Sequence, residues 1–195
     1  MKRNVLFLIL LLIFSNVIAS ESLSFSGIPI EGSVTEYCYK LKMKGFSLLR
    51  EEIDSQAFYG EFTGVPVTVW VSGSKSGQQI QNVAVFFEDE KGFFKFSSYV
   101  FNLYGYYKHL YSKKYGKPTR ENENNLEKLV STNTLIAELH KGKAFGSVWE
   151  LDNGLIEIAI VKGAFPDVSL LMIRYFTAEG LRNRTNEHLN DISYS

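Results

Sequence analysis

The chain has 195 residues, 45% of them apolar and 14% aromatic, with 21 basic residues against 21 acidic. That apolar share excludes a disordered chain, and the balanced charge makes nucleic acid and anionic membrane surfaces poor partners. A single cysteine, Cys38, excludes an intrachain disulfide.

Lys2 and Arg3 make a short positive start, Val5 to Phe14 is an unbroken apolar run, and Ser15 to Ser20 supplies small residues for a peptidase. This is the pattern of a secretory signal peptide over residues 1–20. A spanning helix needs about 20 apolar residues, and this run approaches that length only by taking in Asn16 to Ala19, so a retained anchor is the weaker reading. No cysteine near the cleavage region can accept a lipid. The expected product is secreted or periplasmic, without a membrane span after cleavage. It forms a single α+β domain over 21–195, with halves at about 21–96 and 97–195. Losing Lys2 and Arg3 leaves 19 of the 21 basic residues against 21 acidic, a net charge of −2.

Ser33 and Glu36 form a capping box ahead of a helix from Val34 to about Lys44, with Val34, Tyr37, Cys38 and Leu41 on one face. Lys40, Lys42 and Lys44 suit the negative end of its dipole. Gly45 takes the left-handed stop position, and Phe46 reaches back to Leu41. Cys38, with no Lys or Arg placed beside it to lower its pKa, reads as a half-buried helix residue and not as a nucleophile.

Phe58 to Phe62, the turn Thr63-Gly64 and Val65 to Val71 read as a hairpin, with Pro66 near the start of its strand. Ser72 to Gln79 reads as a loop and Ile80 to Phe87 as a third strand. Glu88 to Gly92 lacks the alternating ligand spacing of a calcium loop and reads as a solvated turn.

Val100, Leu103, Tyr104, Tyr107, Leu110, Tyr111 and Tyr115 then hold helical spacing, and Gly116 with Pro118 stops the helix. The tyrosines have the spacing of a sugar-stacking ladder, but the face that repeats on a helix is the face that packs, which makes them core. Arg120 to Asn125 reads as a linker, and 126–142 fits a short helix or an irregular strand. Phe145 to Leu151, the turn Asp152-Asn153-Gly154 and Leu155 to Val161 give the strongest hairpin signal, through the Asn-Gly pair favoured in type I′ turns. Val168 to Phe176 is a third strand, and the tail closes with a short helix through Leu181, Leu189 and Ile192.

Helix, hairpin and strand thus occur twice. A three-stranded meander with one helix cannot cover both its faces. The economical α+β arrangement joins the two helix-plus-meander repeats into one antiparallel sheet with both helices packed on one face. The opposite face is then open. With Thr63-Gly64 as a two-residue turn, Phe58, Phe62, Val65, Val67 and Val69 share one face with Val83, Val85 and Phe87. Tyr59, Thr68, Trp70 and Phe86 fall on the other and are the candidate binding residues, an aromatic cluster of the kind that marks interaction sites. The competing arrangement covers that face with the C-terminal segment or a second subunit.

Catalytic signals are sparse. There is no Gly-x-Ser-x-Gly elbow, His109, His140 and His188 lie in unrelated contexts, and no His-x-x-x-His spacing exists, so no metal and no cofactor are expected. With Asn153-Gly154 as the turn pair, Glu150 and Glu157 would stand directly opposite, with β-carbons about 5 Å apart. That is the carboxyl separation a retaining glycosidase uses, and this carboxylate pair is the one enzymatic hint. Its expected consequence is a repulsion that Glu157→Gln relieves. Asn183-Arg184-Thr185 matches the glycosylation sequon, a short pattern with a high chance rate.

Gly27-Ile28-Pro29-Ile30-Glu31-Gly32-Ser33, Leu41 to Phe46, Val65 to Val69 and Lys114-Tyr115-Gly116-Lys117-Pro118 resemble a pattern in uncharacterised secreted proteins of gut Bacteroidetes, over most of the mature chain. That resemblance implies no activity. The twofold helix-then-meander order is also similar to β-lactamase inhibitor proteins, which clamp an enzyme with a concave sheet. It implies a binding sheet face and carries over no contact residue. The function expected from these readings is an exported, non-enzymatic binding or inhibitory module whose open sheet face takes a protein or glycan partner. The alternative is a hydrolase acting on glycan or peptide with the carboxylate pair.

Overall fold

The computed structural model describes residues 23–74, 79–87, 97–123, 137–139, 141, 145–163 and 168–184. The signal peptide, the acidic run 88–92, His140, His188, Thr185 of the sequon, and Leu189 and Ile192 of the closing helix lie outside the described residues, as does most of 126–142.

The described chain opens with a hairpin, β1 (Ser24–Phe25) and β2 (Ile28–Pro29), whose Leu23, Phe25 and Ile28 are already core. Helix α1 (Val34–Met43) follows, with both halves of the capping box made: the Glu36 amide donates to Ser33 Oγ at 3.2 Å, and the Ser33 amide to Glu36 Oε2 at 3.4 Å. Val34, Tyr37, Cys38 and Leu41 form its buried face, as the spacing predicts. Its end is a Schellman motif. The Phe46 amide donates to Leu41 O at 3.1 Å and the Gly45 amide to Lys42 O at 3.0 Å. Gly45 sits at φ +91 with open space where a β-carbon would go, so the cost of a side chain there is purely conformational. Gly45→Ala is expected to lower stability by about 1 kcal/mol. Chemical denaturation checks this, and an unmoved midpoint would show that the helix does not need that stop.

The strands are β3 (Ser47–Glu51), β4 (Ser55–Phe62), β5 (Val65–Gly73) and β6 (Ile80–Phe87), then, after helix α2 (Ser97–Tyr115), β7 (Arg120–Asn122), β8 (Phe145–Leu151), β9 (Gly154–Lys162) and β10 (Ser169–Thr177). They make one eight-stranded antiparallel sheet in the order β3-β4-β5-β6-β10-β9-β8-β7. Each expected three-stranded meander therefore gains an outer strand. β3 comes from residues without strand alternation, and β7 from the segment read as a linker. Both meanders end at the centre, where β6 and β10 pair, and both begin at an edge.

One row across the sheet shows where the core lies. Phe58, Val69, Val85, Ile173, Ile158 and Ser147 stand opposite one another on successive strands, and all are fully buried. The buried faces of α1 and α2 join the same cluster, so both helices cover this side. Tyr104, Tyr107 and Tyr111 of α2 are core. The Tyr107 hydroxyl, pushed up to about 12 by burial, meets Thr63 Oγ1 in the β4–β5 turn, and Tyr111 meets Tyr175 hydroxyl to hydroxyl. Trp149 closes the far end, its Nε1 donating to Gly116 O at 2.9 Å.

The short β7 edge is tied to α2 by charge. Tyr104 Oη donates to Glu123 Oε1 at 2.5 Å, and Lys108 Nζ lies 2.5 Å from Glu123 and 3.0 Å from Glu121. Burial alone would raise the Glu123 pKa, but the bonds from Lys108 and Tyr104 outweigh it and hold it below the usual carboxylate range. A carboxylate depressed in the folded state contributes stability above its unfolded pKa and loses it as pH falls through the folded one. The midpoint difference between wild type and Glu123→Gln is therefore expected at neutral pH, should shrink as pH falls below about 4.5, and should vanish only once pH passes the depressed folded pKa. A difference undiminished in acid would remove the ion pair from the account.

Candidate functional site

The face turned away from α1 and α2, helix-free in the sense that neither of them covers it, is built by the alternate residues of the same strands. One row runs Tyr59, Thr68, Phe86, Met172, Ala159, Gly146, and the next runs Ala57, Trp70, Ala84, Arg174, Glu157, Val148, Arg120. Small residues sit beside large ones in both. Ala84 lies between Trp70 and Arg174, while Ala159 and Gly146 follow Met172, and the pleat dips wherever a side chain stops at a methyl group or less. Two hollows result. The first, of about 580 Å³, spans β5, β6 and β10 and is lined by Thr68, Trp70, Asn82, Phe86, Met172 and Arg174, with Ser72, Ala84 and Leu170 completing it. The second, of about 500 Å³, lies towards β7 and β8 and includes Arg120, Asn122, Val148, Glu157 and Ala159.

Three of the four candidate binding residues, Thr68, Trp70 and Phe86, line the first hollow together. Tyr59 stands directly opposite Thr68 but is 43% exposed and flanks the hollow without lining it. All the lining comes from strands, and none of residues 178–184 contributes to it. That helical segment lies against the Phe176 end of this same face, beside the hollow. Thr177 caps it through the Gly180 amide at 3.1 Å and bonds Ile80 O at 3.1 Å, and the guanidinium of Arg184 lies 5.3 Å from the Phe176 ring. Arg174, over the same ring at 4.7 Å, lines the first hollow and bonds Glu157, which lines the second.

Arg174 is the charged lining residue that sequence reasoning missed, alongside Met172 and Asn82. Strand alternation puts it on the open face, but only the pairing of β10 with β6 brings it beside Ala84 and Trp70, and that neighbour relation is not local in sequence. Its Nε and Nη2 both bond Glu157 Oε2, at 3.0 and 2.5 Å.

The carboxylate pair requires a correction. The β8–β9 turn closes on Asp152-Asn153, with Leu151 opposite Gly154, so Glu150 faces Leu155 and Glu157 faces Val148. Glu150 and Glu157 share the face but are displaced diagonally, and each meets an arginine: Arg120 Nη2 lies 2.7 Å from Glu150, and Arg174 holds Glu157. The expected repulsion is therefore absent. Glu157→Gln should lower stability by about 1 kcal/mol, because it strands a guanidinium that is only 26% exposed. A denaturation midpoint that rises would restore the repulsion.

Other candidate chemistry falls away on geometry. Cys38 is 2% exposed, and burial outweighs the nearby Lys42 to push its thiol up to about 12, the opposite of a reactive thiol. His109 is exposed on α2. Among the described residues no group of three metal-ligating side chains comes together, and no helix is long and apolar enough to cross a membrane. Comparisons with protein-family models, with curated proteins and with solved structures gave no match to the chain.

Proposed function

We propose that the chain is an exported, non-enzymatic binding or inhibitory module that takes its partner on the helix-free face of the sheet. One observation carries this reading: the hollow of about 580 Å³ whose lining unites Trp70, Phe86 and Arg174. A shallow, open hollow, mostly apolar with a few converging polar groups, has the chemistry of a binding surface. Export rests on the positive start, apolar run and small residues of 1–20. Part of the same reading is that the two helix-then-meander halves are repeats that meet at β6 and β10. Nothing in the placement of Glu150 and Glu157 favours the hydrolase, since each carboxylate is engaged by an arginine.

The test is capture from the protein's own secreted or envelope fraction by immobilised mature protein. Wild type is compared with Trp70→Ala and Ser72→Arg, the second of which puts a long side chain into the hollow. Both variants are expected to lose the partner that wild type retains while unfolding within about 1 kcal/mol of it. Identical capture by all three proteins would overturn the reading.

A further inference from the structure

Resting on that reading of the face, we infer that the ligand of the Trp70 hollow is a neutral carbohydrate, a pyranoside lying with its C–H-bearing face against the indole. The lining alternates aromatic rings with hydroxyl and amide groups. Trp70 and Phe86 supply faces, and Thr68, Ser72, Asn82 and Arg174 supply donors and acceptors around them. A sugar ring has the matching composition, since one face presents polarised C–H bonds to the negative π surface while its rim carries hydroxyls that both donate and accept.

Charge decides between ligand classes. Arg174 is the one ionic group in the lining among the described residues, and two of its N–H groups are already committed to Glu157. The described lining therefore offers no unmatched positive charge to draw in an acidic peptide or an acidic sugar.

Asn82 adds an independent observation. Its Oδ1 is one of seven buried side-chain oxygens without a hydrogen-bond partner among the described residues, and of these it alone belongs to a residue lining the hollow. The carboxamide lines the hollow, so rotation about its terminal bond presents that oxygen to a ligand hydroxyl. An apolar protein anchor in the same place would leave Asn82 and Ser72 desolvated and unpaired, which costs affinity. The hollow's volume also falls in the small-ligand range.

The chain suits a fluorescence test, because it has two tryptophans and Trp149 is 1% exposed, so ligand-dependent changes in emission report Trp70. The probes are neutral gluco-, manno-, xylo- and galacto-oligosaccharides, screened on a printed array and then titrated in solution, with poly-glutamate and uronic-acid oligosaccharides alongside. The expected result is binding within the neutral set with a shift in tryptophan emission, weakened at least tenfold by Trp70→Ala and by Ser72→Arg. His109→Ala, on the exposed side of α2 across the sheet from the hollow, should keep the ligand. An array silent for neutral glycans, or signal confined to the acidic probes, overturns the carbohydrate. If the two hollow variants still fail to capture a protein that wild type retains, the binding face survives that loss. Neutral glycan binding that both hollow variants keep overturns the site as well as its ligand.

Discussion

Trp149→Ala is expected to lower stability by about 3–5 kcal/mol, whereas Trp70→Ala should cost about 1 kcal/mol. The two residues are both strand tryptophans of the same sheet, and the sequence around each reads as alternating β pattern. They differ in which face they occupy. Trp149 is 1% exposed, lies 6.1 Å from the Tyr111 ring and bonds Gly116 O, so its truncation opens a cavity beneath α2 and orphans a carbonyl. Trp70 is half-buried against Ala57 and Ala84 on the helix-free side, where solvent fills the space its ring leaves. Urea denaturation of the two variants measures the contrast directly. Equal losses would mean that both faces of the sheet are core, and the hollow would cease to be a site.

Gly154→Ala should be nearly as damaging, with a loss of about 3 kcal/mol or more. A β-carbon at this position would lie 2.0 Å from Phe176 O and 2.6 Å from Leu23 Cδ1, at a φ of +152. The leucine tip can swing away, but the carbonyl belongs to β10 and is fixed by the ladder on both sides. Backbone must move instead, and the contact lies where the Ala178 amide bonds Asn153 O at 3.1 Å, so the β8–β9 turn and the end of β10 would separate together. Thermal or chemical denaturation checks this. A variant as stable as wild type would place Gly154 inside the turn, restore the Asn-Gly register, and bring Glu150 back opposite Glu157.

That glycine also shows where sequence reasoning stops. Local elements were fully legible: the Ser33–Glu36 box, the stripe through Tyr37 and Leu41 and the Gly45 stop are all settled within fourteen consecutive residues or so of one another. The Thr63-Gly64 turn and the two faces of β4, β5 and β6 follow from period two alone, which is why Thr68, Trp70 and Phe86 were identifiable as neighbours. At Asn153-Gly154 a good local rule gave the wrong turn, because the glycine is needed for close approach by another strand. The face parity of Glu150 and Glu157 survived that shift, but their opposition did not. β3 and β7 left no pattern to read, since every residue of both is exposed and edge strands need no buried side. Arg174 and Met172 were invisible as site residues for a third reason: they reach the hollow only through the β6–β10 pairing, whereas Asn82 stands opposite Ser72 within the local β5–β6 pair.

The most direct measurement of the central claim, that the helix-free face is open to a partner, is collisional quenching by acrylamide of single-tryptophan variants. Trp149→Phe leaves Trp70 as the only emitter, and Trp70→Phe leaves Trp149. The account predicts strong quenching in the first variant and weak quenching in the second, as their positions on the open and covered faces require. Trp70 as shielded as Trp149 would contradict it, and would mean that the face is covered in the protein by its own chain or by a second copy.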